Sequence, residues 1–235
     1  MHVVAIMAHQ DDEMQCLGTL LKCRARSDRL AFVTLTDGAK GFVHKPEIDP
    51  GEAARIRDSE MRTLSNQLDA DYINLREPDE FLYDTPEVRM KLIEAIRSTR
   101  AELIFTHYHE DYNLDHTTVC ALVRHCAMQA CLPVLPTASP PLDEHPAVFM
   151  VAPHGPVSFP ASHFVDISVY EDAKIALMAS HRSQETAMRQ ALGAGFDRLC
   201  RRLDGYWGQT VGCDYAEGFV PMRGRGAIKP FSVLP

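Results

Sequence analysis

The chain has no surplus of positive charge: its 235 residues carry 24 Lys and Arg against 32 Asp and Glu, a formal net charge of −8. Nucleic acids and anionic membranes recruit clustered Lys and Arg, so neither is an expected partner. No apolar run approaches the ~20 residues that cross a bilayer. The run at residues 3–8 is also too short for a signal peptide and has no basic segment before it, which points to a cytoplasmic protein without membrane insertion. The seven cysteines, at positions 16, 23, 120, 126, 131, 200 and 213, are odd in number and include no Cys-x-x-Cys pair. A disulfide framework is therefore not expected; Cys120 and Cys126 fall on an apolar helix face and read as buried thiols in a reducing compartment. There is no Gly-x-Ser-x-Gly elbow for a serine hydrolase, and no Gly-x-Gly-x-x-Gly after the first strand for a dinucleotide.

What is present alternates between two periods. Residues 3–8 and 30–36 are continuous, β-branched apolar runs of the kind buried parallel strands show. Residues 103–106 form a third, 71–75, 147–151 and 165–168 shorter ones. Between them lie stretches of helical spacing: Met14, Leu17, Leu20 and Leu21; residues 52–68; residues 86–98; a helix starting at Asp115 and carrying Val119, Leu122, Val123 and Cys126; and residues 170–191. This pattern predicts an α/β fold, a mostly parallel sheet flanked by helices on both faces in a Rossmann-like three-layer sandwich. Residues 132–162 are richest in proline and read as loop plus one strand, and the tail from Gly193 is Gly-rich and aromatic. No repeat or linker interrupts the chain, so one domain over residues 1–235 is expected.

Two strands end in dense polar clusters, where open α/β sheets bind ligands. After the first comes His9-Gln10-Asp11-Asp12-Glu13, after the third the segment from His107 to His116. An imidazole at a strand end and a carboxylate three residues on, where the chain turns into a helix, can aim at one point. Zinc and similar divalent ions take this mix of ligands. Taken alone, His9 and Asp12 also fit an acidic helix cap. His116 supplies a third ligand, and three protein ligands with an open fourth position is the catalytic arrangement. Asp11 lies between two of them, close enough to touch a metal-bound water without being bound itself. His107, His109 and Asn113 are further polar candidates, with structural or solvated roles open for both histidines.

These residues resemble the PIG-L/LmbE-like zinc-dependent N-deacetylases. Ala8-His9-Gln10-Asp11-Asp12-Glu13 resembles the family's AHPDDE signature, and Asp111 through His116 its ND-x-H-x-DH segment. Thr36-Asp37-Gly38 with Gly41, Arg57 with Glu60, Lys174 through Gln184, and Tyr215-Ala216-Glu217 with Phe219 resemble its remaining motifs in order. The resemblance implies His9, Asp12 and His116 as metal ligands, Asp11 as catalytic base, Asp115 as a catalytic-site residue supporting the second cluster, and Arg57 as a substrate contact; His107, from its place in the second cluster, is a further candidate substrate contact. Gln10 stands where the family has Pro. Asn113, a candidate catalytic residue, stands where it has a His that stabilises the oxyanion or moves a proton; Asn can still donate a hydrogen bond to an oxyanion but cannot shuttle a proton at neutral pH.

The expected function is hydrolysis of an N-acyl group, typically acetyl, from a small amino-sugar-containing molecule, with Zn2+ or another divalent ion as cofactor. Two rivals remain: an amidase or phosphoesterase on another small substrate, for which Arg223 and Arg225 are the available basic pair, and a non-catalytic metal-binding protein. A Ser-His arrangement from Ser183 and His181 competes with a plain amphipathic helix. A homo-oligomer is left open by the sequence.

Overall fold

A computed structural model gives the fold for residues 1–154 and 157–224. Among these residues, β1 (His2–Met7), β2 (Arg29–Thr36), β3 (Asp71–Glu77), β4 (Leu103–Thr106), β5 (Ala147–Val151), β6 (His163–Asp166) and β7 (Ala216–Pro221) form one sheet. Its order is β3-β2-β1-β4-β5-β7-β6. The pairs β1–β2, β1–β4, β2–β3 and β4–β5 are parallel, and β7 runs antiparallel to both β5 and β6.

The pleat of β1 divides the core in two, because alternate side chains leave opposite faces. Val4, Ile6 and Ala8 pack with Val88, Leu92 and Ile96 of α3 (Pro86–Ser98) and with Val119, Leu122 and Val123 of α4 (Leu114–Gln129). Val3, Ala5 and Met7 pack on the other face with Leu17 and Leu20 of α1 (Leu17–Ala25) and Met61 and Leu64 of α2 (Pro50–Gln67). Leu177 and Met178 of α5 (Glu171–Met178) and Phe196 and Cys200 of α7 (Phe196–Val211) complete that face. Each fully buried Leu or Ile contributes ~1.5–3 kcal/mol, so two continuous cores hold the three layers together without disulfides. All seven cysteines are free and five are buried.

Chain order runs outward from β1 through β2 to β3, then returns to β4 on the other side of β1. That reversal opens a crevice beyond the carboxyl ends of β1 and β4, where sheets of this kind bind ligands.

Two expectations are corrected, and the tail, to which the sequence assigns no element, gains two. The helix expected over residues 170–191 is two, α5 and α6 (Arg182–Leu192), because His181 leaves helical geometry at φ −81° and ψ 62°. The Gly-rich tail contains α7 and β7, the latter a strand of the main sheet. The late strand lies at His163–Asp166 rather than 165–168.

Candidate metal centre

β1 ends at Met7, and the chain turns through a 3-10 turn (Asp12–Gln15) into α1. β4 ends at Thr106, and its continuation becomes α4 at Asn113, whose Oδ1 accepts the Asp115 N–H at 2.8 Å as an N-cap. Ile6 and Thr106 are partners across the sheet, so the polar residues beyond each strand meet. His9 Nδ1 lies 3.3 Å from His116 Nε2 and 3.3 Å from Asp12 Oδ2. His116 Nε2 lies 3.4 Å from Asp12 Oδ1. Tetrahedral ligands at zinc's usual ~2.0–2.1 Å stand about 3.3 Å from one another, so these three groups have the spacing of one triangular face of such a site. The residues fit a divalent ion.

The outer ring nitrogens are held as well. His116 Nδ1 is 3.0 Å from Asp111 Oδ2, and His9 Nε2 is 3.0 Å from Asp79 Oδ1 and 3.4 Å from Asp115 Oδ2. A carboxylate accepting the outer N–H fixes the tautomer and leaves the inner nitrogen bare for a metal. The electrostatics favour positive charge. Burial lowers the pKa of His9, but hydrogen bonds to Asp115, Asp12 and Asp79 lift it well above its ordinary value. Burial likewise works against His116, yet the charge of Asp12 and the bond to Asp111 raise it to about 9. Burial pushes Asp12 up, and the neighbouring His116 and His107 outweigh it and hold the carboxyl well below the usual range.

Asp11 sits at φ 105°, a left-handed conformation that costs a non-glycine residue of order 1–3 kcal/mol and persists only where the surroundings enforce it. They do so here. The Asp11 N–H donates to Glu13 Oε2 at 2.9 Å, and Glu13 Oε1 is gripped by His181 Nε2 at 2.6 Å. Arg57 Nη2 donates to Asp11 Oδ1 at 3.0 Å and to the Gln10 carbonyl. Burial raises the Asp11 carboxyl above the usual range against the charge of Arg57. Asp11 keeps 20% of its side chain accessible, while Arg57 keeps 2%. Gln10, in the place of the family's Pro, is buried against Gly38; with φ 66° and the Gln10 side chain where a Cβ would stand, only glycine suits that position.

The structure brings His9, Asp11, Asp12, Asn113, Asp115 and His116 together. Arg57, expected to touch substrate, holds Asp11. Asp115 is buried, and its carboxylate accepts the Glu80 N–H at 2.8 Å and the Leu82 N–H at 3.2 Å while facing His9 Nε2 at 3.4 Å, so it positions the His9 ring. His107 is buried: its Nε2 accepts the Ala8 N–H at 2.9 Å and its ring stacks on His116 with centroids 4.0 Å apart. Burial and the adjacent His116 push its pKa down to about 4. His109 is exposed beside Glu110. Ser183 donates to Glu60 through both its N–H and its hydroxyl, which ties α6 to α2. Met222 and Gly224, either side of Arg223, border Ala127 and Met128 of α4, about 18 Å along that helix from His116. Arg225 lies outside the described residues.

Sequence reasoning missed Asp79, the pairing of Glu13 with His181, and His154, which follows β5 and whose ring centroid is 6.3 Å from that of His116. His154 had one legible signal, a polar residue just past a strand of the parallel part of the sheet.

The sequence matches the family described as PIG-L: GlcNAc-PI de-N-acetylase over residues 4–127, more than half of the chain. Among solved structures, N,N'-diacetylchitobiose deacetylase from Pyrococcus horikoshii is similar with a TM-score of 0.81 at 22% identity, covering 94% of this chain and 83% of that one. A conserved protein of Thermus thermophilus has a TM-score of 0.79 at 29% identity, covering 100% and 97%. GalB, the 4-carboxy-2-hydroxymuconate hydratase from Pseudomonas putida, has a TM-score of 0.82 at 19% identity and covers 100% of both chains. Below a quarter identity such likeness establishes the shared fold, and the match over residues 4–127 establishes descent: the chain belongs to the PIG-L, GlcNAc-PI de-N-acetylase, family.

Proposed function

We propose that the protein is a zinc-dependent hydrolase that removes an N-acetyl group from a small amino-sugar-containing substrate. The observation that carries this reading is the triangle of His9 Nδ1, Asp12 and His116 Nε2, with both outer ring nitrogens held by carboxylates and Asp11 poised next to it. A zinc ion there supplies Lewis acidity, which polarises a carbonyl and makes water more acidic.

The chain's own residues do the rest. Asp111, Asp79 and Asp115 keep the two imidazoles aimed inward. Asp11 takes one proton from the attacking water as the water oxygen bonds to the acyl carbon. It returns that proton to the nitrogen as the C–N bond breaks, leaving a free amine and a carboxylic acid. Arg57 keeps the Asp11 carboxylate oriented through the 3.0 Å bond. A site that only bound metal would have no use for a strained carboxylate beside its ligands, which speaks against the non-catalytic rival.

The test is elemental analysis of the purified protein combined with amine release from a panel of N-acetyl sugars, before and after chelation. Bound zinc with amine release that chelation abolishes is the expected result. Bound metal without amine release from any panel member would move the reaction to another water-using chemistry, for which phosphate esters and the hydration of unsaturated acids are the next panels. Failure to bind metal after reconstitution would overturn the reading.

A further inference from the structure

The segment after β5 brings one more imidazole to the crevice. The carboxyl end of β5 lies beside that of β4, and His154, three residues further on, is half-buried there. Its ring centroid stands 6.3 Å from that of His116. The charged groups that act on it, Asp12, His116, Asp11 and Asp111, all belong to the metal centre or its supports. Gln15, buried on the 3-10 turn that begins with Asp12, places its amide nitrogen 3.4 Å from His154 Nδ1 and 3.3 Å from Nε2. A neutral imidazole has one N–H and one bare nitrogen. The Gln15 amide nitrogen can donate only to the bare one and cannot accept from the other, so it does not consume the ring N–H.

Other donors border the centre, among them Asn113 Nδ2 and the hydroxyl of Tyr112, an exposed residue whose ring centroid is 6.1 Å from that of His116. Asn113 is held at the start of α4 by the Asp115 N–H that its Oδ1 accepts, His107 is buried and accepts the Ala8 N–H, and Arg57 is held against Asp11 and Gln10, whereas His154 is half-buried at the crevice. Amide hydrolysis needs a donor: when the water oxygen bonds to the acyl carbon, the carbonyl oxygen takes up a negative charge, and it loses that charge when the C–N bond breaks. We propose that His154 is a catalytic residue of this site, donating a hydrogen bond from its ring N–H to that oxygen while the charge is present; this rests on the hydrolase reading above. His154 keeps its proton throughout, so the proton traffic remains with Asp11. Burial lowers the pKa of His154, which keeps the ring neutral and a donor rather than an acid at neutral pH.

Two variants test this, His154→Ala and His154→Gln, each measured for metal content, turnover and binding of two ligands. The ligands are an alkylphosphonamidate, which mimics the charged tetrahedral centre, and acetate. Removing one oxyanion donor lowers kcat by about 10²–10³ in other hydrolases, and a loss of that size with unchanged metal content and KM is expected for His154→Ala. His154→Gln, whose amide can donate from the same place, is expected to recover at least about tenfold of it. The phosphonamidate should bind His154→Ala at least about tenfold more weakly than wild type, with acetate unaffected. Phosphonamidate affinity equal in wild type and His154→Ala would overturn the assignment, as would equal turnover. A wild-type protein silent on every N-acetyl sugar overturns the hydrolase reading instead, so the two failures are distinct.

Discussion

Two regions of this molecule bury carboxylates in numbers, and they neutralise them differently. At the crevice, Asp12, Asp79, Asp111 and Asp115 surround His9 and His116, whose inner nitrogens face one another. Beneath α1, Asp204 and Glu217 surround Lys174, whose Nζ lies 2.6 Å from Asp204 Oδ2 and 2.8 Å from Glu217 Oε1. Glu217 also accepts the Gly18 N–H at 2.8 Å and the Thr19 N–H at 2.7 Å, capping α1 from across the fold. In the second region the cation is covalently part of the chain, so the charges are settled at folding and the cluster serves as a fastener. In the first the positive charge can come from an exchangeable ion, so a position is left over for chemistry. The two are joined: the helix that Glu217 caps continues the turn that carries Asp12.

The comparison breaks most visibly on the cation. Chelation of the wild-type protein is expected to abolish amine release, leave the far-UV circular dichroism unchanged and lower Tm by the lost binding linkage, ~2.7 kcal/mol for an ion at a hundred times its Kd. Readdition of zinc should restore amine release and Tm, and a chelated protein that keeps turnover would detach the crevice from the chemistry. Within the crevice, Asp11→Asn is expected to lower kcat about 10²–10⁴-fold while metal content stays at the wild-type level. Near wild-type turnover in that variant would move the proton-transfer role to another group.

The opposite pattern is expected for the built-in cation. Lys174→Met leaves Glu217 and Asp204 buried, at 1% and 3% exposure, without their partner. Breaking a buried pair on one side costs ~3–5 kcal/mol, so the variant should unfold at much lower denaturant, and any protein that remains folded should still bind zinc. A loss under ~1 kcal/mol, read from urea midpoints, would mean that the cluster relaxes into water and is no fastener.

The two regions also differ in how far they could be read before the structure. His9, Asp12 and His116 each follow an apolar run that names its own strand, and parallel topology then requires the two polar ends to meet at a switch point. The α/β layering followed from the same alternation. The fastener left no such trace. Glu217 and Gly218 stand inside β7 and Pro221 ends it, a pattern that does not announce a strand; the buried Glu is tolerated because Lys174, 43 residues away, and the Gly18 and Thr19 N–H groups satisfy it. Gly205 and Gly208 mask the helical period of α7, and Gly208 is there because the backbone of Cys213 and Asp214 passes where a Cβ would stand. Asp79 was equally hidden: its role is set by the distance from β3 to His9 in three dimensions, which no local spacing reports. The break at His181 escaped notice for the same reason, since the grip of Glu13 comes from the first strand's loop.

The finest distinction between the regions is a proton. In the fastener three carboxylates, Glu171, Asp204 and Glu217, face one ammonium, and neither Glu171 oxygen receives an N–H from the described residues. Burial raises the Asp204 carboxyl, against the pull of Lys174, to about 8, and burial raises Glu171 as well. The folded protein therefore retains a proton between Glu171 and Asp204 that an unfolded chain releases near pH ~4. A group whose folded pKa is raised contributes stability that is complete below the unfolded pKa and is lost as pH rises through the folded one. Stability should then fall between about pH 5 and pH 8 by up to ~1.4 kcal/mol per pH unit from this proton alone. In Glu171→Gln the amide can donate to Asp204 without titrating, so the fall should be shallower by a large part of that slope. Urea midpoints at about pH 6 and pH 8, taken at saturating zinc for both proteins so that the crevice titrates alike, measure the difference. Parallel slopes would place no proton there and leave Lys174 facing three ionised carboxylates, a charge balance much closer to that of the metal centre.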